Sequence, residues 1–495
     1  MSETTSQPIV TDLLRFRADG YPDRVAINVD GQDTITYGQW QRRVTRTVHT
    51  LLANGVGRGE RVGLLFGGMD WIDYAVAYLA VLSAGATAVH LNDGMPAQEI
   101  RRRLDECDSR RLIRGGDQAT PEGFGGWSVT VAEIDSGDET PVSVEIGLHD
   151  IADILYTSGT TGPAKGFTNP HGTLTFGRGP AGLQQFTNPT PLLAPMPLGT
   201  TSSATTVAIV ALTATAEVVV CRLDDVVRMG ELIDRYRIGS IMLTPWIAMQ
   251  MIAARLDEHF DVGCVERIGI ASAPMPPTVS LALLKVFPGA QLNTAYAQSE
   301  AVPAVIVNTF DPARPATLGR PAPGTQLRVA DEHGEPVPVG EVGEIWLRSE
   351  APRRLYLDTE RAKQTNVDGW IRTGDFGHTD AEGYLYLFDR GSDVLHVGGR
   401  RLSSVEIESA LYEHPAVTQA AVLPWGDADR GQTIAAAVVL SDGEALPRVS
   451  SFLAERLRPE QVPSHVFVVD SLPRGVTGKV LKNELRKQLI EQEEN

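Results

Sequence analysis

The segment from Tyr156 to Gly166 reads Tyr-Thr-Ser-Gly-Thr-Thr-Gly-Pro-Ala-Lys-Gly. Gly159 and Gly162 let backbone N–H groups turn toward a ligand. The hydroxyls of Thr157, Ser158, Thr160 and Thr161 add donors, and Lys165 adds a positive charge. Together these groups equip a cradle for phosphate oxygens. The order does not match GxxxxGK[ST], which argues against a P-loop nucleotidase. A flexible Ser/Thr/Gly linker is the alternative. The buried strand expected over Ile151 to Leu155, and the lysine at the segment's end, favour the cradle.

Further segments carry complementary chemistry. In Asn293 to Glu300, the Tyr296 ring can stack on a purine, the Ser299 hydroxyl can bond a phosphate oxygen, and Glu300 can hold Mg²⁺ beside phosphates. Taken alone, such a Ser-Glu pair also suits a helix cap. Gly369 to Asp375 ends in Thr-Gly-Asp, and Asp389-Arg390 follows. A carboxylate such as Asp375 is a natural bidentate acceptor for a cis-diol, although Thr-Gly-Asp is equally good turn chemistry. Gly398-Gly399 permit close backbone approach, and Ser404 can cap the helix after them. Lys479, in Leu472-Pro473-Arg474-Gly475-Val476-Thr477-Gly478-Lys479, reads in isolation as a solvated charge before a C-terminal helix.

In the order of these motifs, and over nearly its whole length, the chain resembles the adenylate-forming superfamily of acyl- and aryl-CoA synthetases, stand-alone adenylation domains and luciferases. The resemblance implies that Thr157, Ser158, Gly159, Thr160, Thr161 and Lys165 hold the ATP phosphates. It places Ala273, in Ala271-Ser272-Ala273-Pro274, and Tyr296 at the adenine, with small residues where the family has glycines. Asp375 would bind both ribose hydroxyls, helped by Arg390. Lys479, Ser299 and Glu300 with Mg²⁺ would carry adenylation, Lys479 bridging the substrate carboxylate and the α-phosphate. A point cation between two reacting anions stabilises the transition state. The small domain would then rotate about Ser392, where the family has aspartate or lysine, so that Gly398 and Gly399 line the pantetheine tunnel.

The implied activity is that of a Mg·ATP-dependent acyl-CoA synthetase, working through an acyl-adenylate with coenzyme A as acceptor. Two variants remain open. Ala297, Ser299 and Pro163-Ala164 depart from the family's Gly, Thr and x-Pro. Those departures suit an enzyme with weakened adenylation that acts on preformed acyl-AMP. A carrier-protein phosphopantetheine has the same reacting thiol as coenzyme A, so a stand-alone adenylation enzyme fits the same motifs. With Glu300, Asp375 and Lys479 all present, a non-catalytic relative is disfavoured. The acyl-gate segment Pro197-Leu198-Gly199-Thr200-Thr201-Ser202-Ser203 lacks the family's histidine or aromatic residue. No aspartate lies between Pro195 and Thr206 to hold an α-ammonium. The acid is therefore expected to be bulky and not an amino acid, with Trp246 either a pocket wall or a core residue.

These residues need a framework to hold them. Strand and helix patterns alternate, as in Val62 to Phe66 followed by Trp71 to Ser83, which predicts parallel sheets covered by helices. Short strands rich in Gly and Pro predict a β subdomain over roughly 311–391. A small α+β domain follows over 392–495, with the large domain spanning 1–391; the resemblance implies that the small domain is mobile, with its hinge near Ser392. At 495 residues, more than one domain is expected. Against 62 acidic residues stand 44 basic ones, and the net charge of −18 argues against nucleic acid or anionic membrane as a bulk partner. Cys107, Cys221 and Cys264 form no CxxC pair and suit a reducing compartment. The stretch Ala204 to Val220 is interrupted by threonines and Glu217 and falls short of a membrane span. The N-terminus lacks the pattern of a signal peptide. A cytoplasmic location is expected.

Overall fold

The computed structural model describes residues 7–157, 164–177, 190–200, 202–214, 216–426, 432–441, 446–475 and 478–494. Continuous apolar runs set its framework. Arg61–Phe66 is buried from its second residue onward, and Thr87–Asn92 throughout. Runs of that kind belong to strands covered on both faces. They lie in a seven-stranded sheet. Its strands Ile151–Thr157, Thr87–Asn92, Arg61–Phe66, Arg111–Arg114 and Trp127–Thr130 are mutually parallel.

A second sheet has a parallel centre, in which Val25–Val29, Val218–Val220, Leu192–Leu193, Ser240–Leu243, Arg267–Ile270 and Gln291–Tyr296 follow one another. From Ile306–Thr309 onward its strands turn antiparallel, through Thr317–Pro321 to Leu385–Arg390, Trp370–Thr379, Gly343–Ser349 and Thr325–Ala330. The Gly/Pro-rich region is thus hydrogen-bonded into the parallel sheet as its continuation.

Helices fill the space beside the sheets. Tyr37–Ala53 starts at a capping box, in which the Thr36 hydroxyl accepts the Gln39 N–H and the Gln39 side chain returns to the Thr36 N–H. Trp71–Ser83 is apolar around almost its whole circumference and lies in the largest core cluster, with Trp40, Tyr74 and Tyr78. No helix among the described residues is long and apolar enough to cross a membrane.

The small domain has its own core, built on Leu395, Leu402, Ile407, Leu411, Val422, Val438 and Leu453. The strands Val417–Trp425, Thr433–Leu440 and His465–Val468 make its sheet, flanked by the helices Ser404–Leu411, Leu446–Arg456 and Lys482–Glu494. One expectation is corrected here. Ser403, not Ser404, caps the helix, its hydroxyl accepting the Glu406 N–H at 3.1 Å. Ser404 is the first helical residue, and its N–H goes instead to Asp389 of the large domain at 2.5 Å. The Arg401 guanidinium lies 4.7 Å from the Phe376 ring centroid and 5.8 Å from that of Phe388, adding a second link between the domains.

Candidate active site

Two antiparallel hairpins bring the separated motifs together. Thr157 and Lys165 are cross-strand partners on Ile151–Thr157 and Lys165–Pro170, so the phosphate-loop candidate is a hairpin with these residues at its mouth. Ser158, Gly159, Thr160 and Thr161 lie outside the described residues. Asp375 and Arg390 are likewise cross-strand partners, on Trp370–Thr379 and Leu385–Arg390. Residues fifteen positions apart in the chain are therefore brought to a single strand spacing of about 5 Å.

Around Asp375 the hydrogen bonding is dense. The Tyr296 hydroxyl donates to Asp375 Oδ2 at 2.8 Å, and the Gln298 amide donates to the same oxygen at 2.8 Å. Gln298 also donates to the Thr373 carbonyl at 2.7 Å. The Asp375 N–H is held by the Thr373 hydroxyl at 3.1 Å. Burial pushes the Asp375 carboxyl above the ordinary aspartate range, and Tyr296, Arg390, Gln298 and Lys479 pull it partly back. Both side-chain donors converge on Oδ2 of the carboxylate. Sequence reasoning missed Gln298, which carries no signal beyond lying two residues past Tyr296.

Glu300 is half-buried, and its Oε1 accepts the Tyr356 hydroxyl. The Ser299 carbonyl accepts from Arg354 at 2.5 Å. Among the described residues no group of three or more His, Cys, Asp or Glu side chains is placed to hold a metal ion. The Glu300 carboxylate is a hard oxygen donor of the kind that Mg²⁺ accepts. Ala273 lines the same cleft, beside Ser272. Ser272 holds a left-handed φ of +82°, a conformation that favours glycine.

Lys479 enters from the small domain. Burial, then the neighbouring Arg390, lowers its ammonium below the ordinary lysine range, while Asp393 and Asp375 pull the other way. The turn that carries it packs on the large domain: a Cβ added at Gly478 would stand 3.2 Å from Trp246 Cβ. Trp246 is both a cleft wall and a neighbour of the second core cluster, which joins the two expectations for it. Thr157, Lys165, Ala273, Tyr296, Ser299, Glu300, Asp375, Arg390 and Lys479 all line one cavity of about 1270 Å³ between the domains.

Gly398 and Gly399 do not reach this cavity. They form the exposed turn between Leu395–Val397 and Arg400–Leu402, with φ of +56° and +76°, and nothing lies within 4 Å of a Cβ added at either. In this orientation the turn itself, not close approach, demands glycine. The acyl-gate segment is a different case. Gly199 has φ +69°, and a Cβ there would lie 2.2 Å from the Leu91 carbonyl oxygen. Asn92 ties the segment down by donating to the Leu198 carbonyl at 2.6 Å.

The fold and this cleft define the class: a two-domain α/β enzyme in which a small C-terminal domain closes over a nucleotide-type site. The AMP-binding enzyme family matches residues 14–357, and the AMP-binding enzyme C-terminal domain matches residues 406–479. The chain belongs to the AMP-binding enzyme family, within the adenylate-forming superfamily. A feruloyl-CoA synthase of Amycolatopsis sp. is 29% identical over 484 residues, covering 95% of this chain and 97% of that protein. An anthranilate CoA ligase in complex with anthranoyl-AMP shares the fold at a TM-score of 0.87, with 24% identity and 97% of each chain covered. The o-succinylbenzoate CoA synthetase of Bacillus subtilis, in complex with its acyl-adenylate, superposes at a TM-score of 0.82 with 25% identity, over 96% of this chain and 97% of that one.

Proposed function

We propose that this enzyme is an AMP-forming acid–thiol ligase that converts a bulky carboxylic acid, not an amino acid, to its coenzyme A thioester with Mg·ATP. The observation that carries the reading is the single cavity shared by the mouth of the phosphate hairpin, the Tyr296–Asp375–Arg390 group and Lys479 of the small domain. The aryl acids in the names of the feruloyl-CoA synthase and the anthranilate ligase support a substrate of that size.

A carboxylate is a poor electrophile, so it first serves as the nucleophile. Its oxygen attacks the α-phosphorus of ATP, the P–O bond to pyrophosphate breaks, and an acyl-AMP mixed anhydride forms. Lys479 stands between the two anions, and Thr157 and Lys165 hold the phosphates at the hairpin mouth. Glu300 would hold Mg²⁺, which would neutralise charge on the leaving pyrophosphate. Tyr296 packs against the adenine, while Asp375 and Arg390 hold the ribose. In the second step the thiolate attacks the acyl carbon and AMP leaves. The domain boundary at 391/392 supplies the movement, with Ser392 as pivot, that exchanges Lys479 for the Gly398-Gly399 turn.

Full adenylation is favoured over a weakened one because Ser299 keeps the hydroxyl of the threonine it replaces and Lys479 faces the cleft. An acid-dependent ATP–pyrophosphate exchange assay tests this, using aryl acids first. Robust exchange is expected. A chain that makes thioester from synthetic acyl-AMP, yet exchanges no pyrophosphate with any acid, would overturn it. Mass detection with free coenzyme A against a carrier protein decides the acceptor.

A further inference from the structure

Beyond these residues the cleft holds a cation with no assigned role. Arg361 lies on the helix Thr359–Thr365, which is N-capped by Asp358, and its side chain lines the cavity with Lys165, Tyr356 and Glu300. Its guanidinium carbon is 5.3 Å from the Tyr356 ring centroid, and the Tyr356 hydroxyl donates to Glu300. A row thus runs from Glu300 through Tyr356 to Arg361.

The backbone fixes this row against the phosphate hairpin. Tyr356 pairs with Phe167 on the strand that begins at Lys165, and the Leu357 N–H donates to the Gly166 carbonyl at 2.9 Å. Lys165 and Arg361 are therefore carried by elements locked to each other. They stand close enough that Arg361, after burial, is the largest influence lowering the Lys165 ammonium. Arg361 Nε is buried and has no hydrogen-bond partner among the described residues. Two neighbouring cations and a buried donor without a partner make an arrangement that an anion would relieve.

We infer that Arg361 is a further phosphate-binding residue, gripping the β- and γ-phosphates of ATP, and hence the departing pyrophosphate, together with Lys165. The inference rests on the nucleotide reading proposed above. Its geometry differs from that of Asp375 and Tyr296, which face the nucleoside end. Arg361 should therefore discriminate between nucleotides by the phosphates beyond the α position. A guanidinium can hold two phosphate oxygens at once, which an ammonium cannot do with the same geometry.

The test is calorimetric titration of the full chain, wild type and variants, with Mg·ATP and separately with AMP. In Arg361→Gln, the affinity for Mg·ATP should fall about 10- to 100-fold, the range for losing a charge-assisted hydrogen-bonding group. AMP affinity should stay within about twofold. Arg361→Lys should recover part of the ATP affinity, which checks that the loss follows the charge and not the fold. Equal losses for ATP and AMP, or an unchanged ATP affinity, would overturn the role of Arg361 alone. A wild-type chain that binds neither nucleotide would overturn the proposed function as well.

Discussion

The carboxylate of Asp389, on the last strand of the large domain, accepts the backbone N–H of Ser404 at 2.5 Å, the first residue of the small domain's first helix. Its other oxygen accepts the Arg390 N–H at 2.7 Å. The domains are thus joined by an acceptor from one and a helix N-terminus from the other, a favourable place for negative charge. Lys482 stands behind this joint, pairing with Glu408 at 2.8 Å and lying 3.7 Å from Asp393. Burial works against its charge, but Glu408 and Asp393 outweigh that and hold the ammonium above the ordinary lysine range.

Asp389 therefore makes a pH-dependent contribution to stability. Burial pushes its carboxyl up to about 6 from an ordinary 3.8, with Lys482 and the Ser404 N–H opposing the rise. Between those values the folded chain keeps a proton that the unfolded chain releases, so this contribution is fully present below the lower value and is lost as pH rises through the upper one. At 1.36 kcal/mol per unit, the loss is about 3 kcal/mol. Guanidinium unfolding of wild type and Asp389→Asn, followed from pH 4 to 7.5, checks it. Other titrations cancel in the difference, and the wild type should lose ground to the variant as pH rises. A difference that stays flat across the window removes the argument.

Gly478 couples the Lys479 turn to the large domain. It has φ +79°, and an added methyl would meet Trp246 at 3.2 Å. Gly478→Ala should therefore both strain the turn, by about 1–2 kcal/mol, and push it off Trp246. The expected outcome is a fall of about tenfold in ATP–pyrophosphate exchange, with thioester formation from synthetic acyl-AMP unchanged. If both half-reactions decline together, the contact is a general fold contact and does not set domain orientation.

Much of this architecture was legible in the chain, for reasons that differ by element. The helix Trp71–Ser83 was readable because its apolar run ends just before Gly85. Asp375 and Arg390 were marked by local Thr-Gly-Asp and Asp-Arg patterns. Gln298, Tyr356 and Arg361 were not. Each becomes part of the cleft only through pairing of distant strands, as Tyr356 does with Phe167, and no local spacing encodes such register. The capping of the helix after Gly399 was misplaced by one residue for a related reason. Ser403 and Ser404 are chemically alike, and what separates them is that the Ser404 N–H is taken by Asp389, fifteen residues earlier.

Gly199 gives a sharper test of the acyl-gate segment. With φ +69° and only 2.2 Å between an added Cβ and the Leu91 carbonyl oxygen, no small adjustment of a side chain relieves the contact, because the obstacle is backbone of a central strand. Gly199→Ala should lower unfolding stability by at least about 2 kcal/mol. It should also move Thr200, whose hydroxyl caps the turn on Pro197 at 2.9 Å and which lines the cleft. Chemical denaturation measures the first effect, and the KM for the acid against that for ATP measures the second. A variant as stable as wild type would show that the segment is free to lift away from Leu91.

Tyr296 and Gln298 share one oxygen of Asp375, which allows the two functions of the tyrosine to be separated. Tyr296→Phe keeps a ring for the purine and removes a donor from the carboxylate. Burial already raises the Asp375 carboxyl, and the Tyr296 hydroxyl is the first of the groups that restrain the rise. Without it, Asp375 should take up a proton at a higher pH than in the wild type. Protonation removes an acceptor for the ribose hydroxyls, so the acid limb of kcat/KM for ATP should move upward in pH. Near neutrality, loss of one hydrogen bond to a charged group predicts a fall of about tenfold in kcat/KM. A pH profile measured for both enzymes decides it. An acid limb that stays in place while the rate falls would mean that Tyr296 acts through its ring alone and that the bond to Asp375 is only structural.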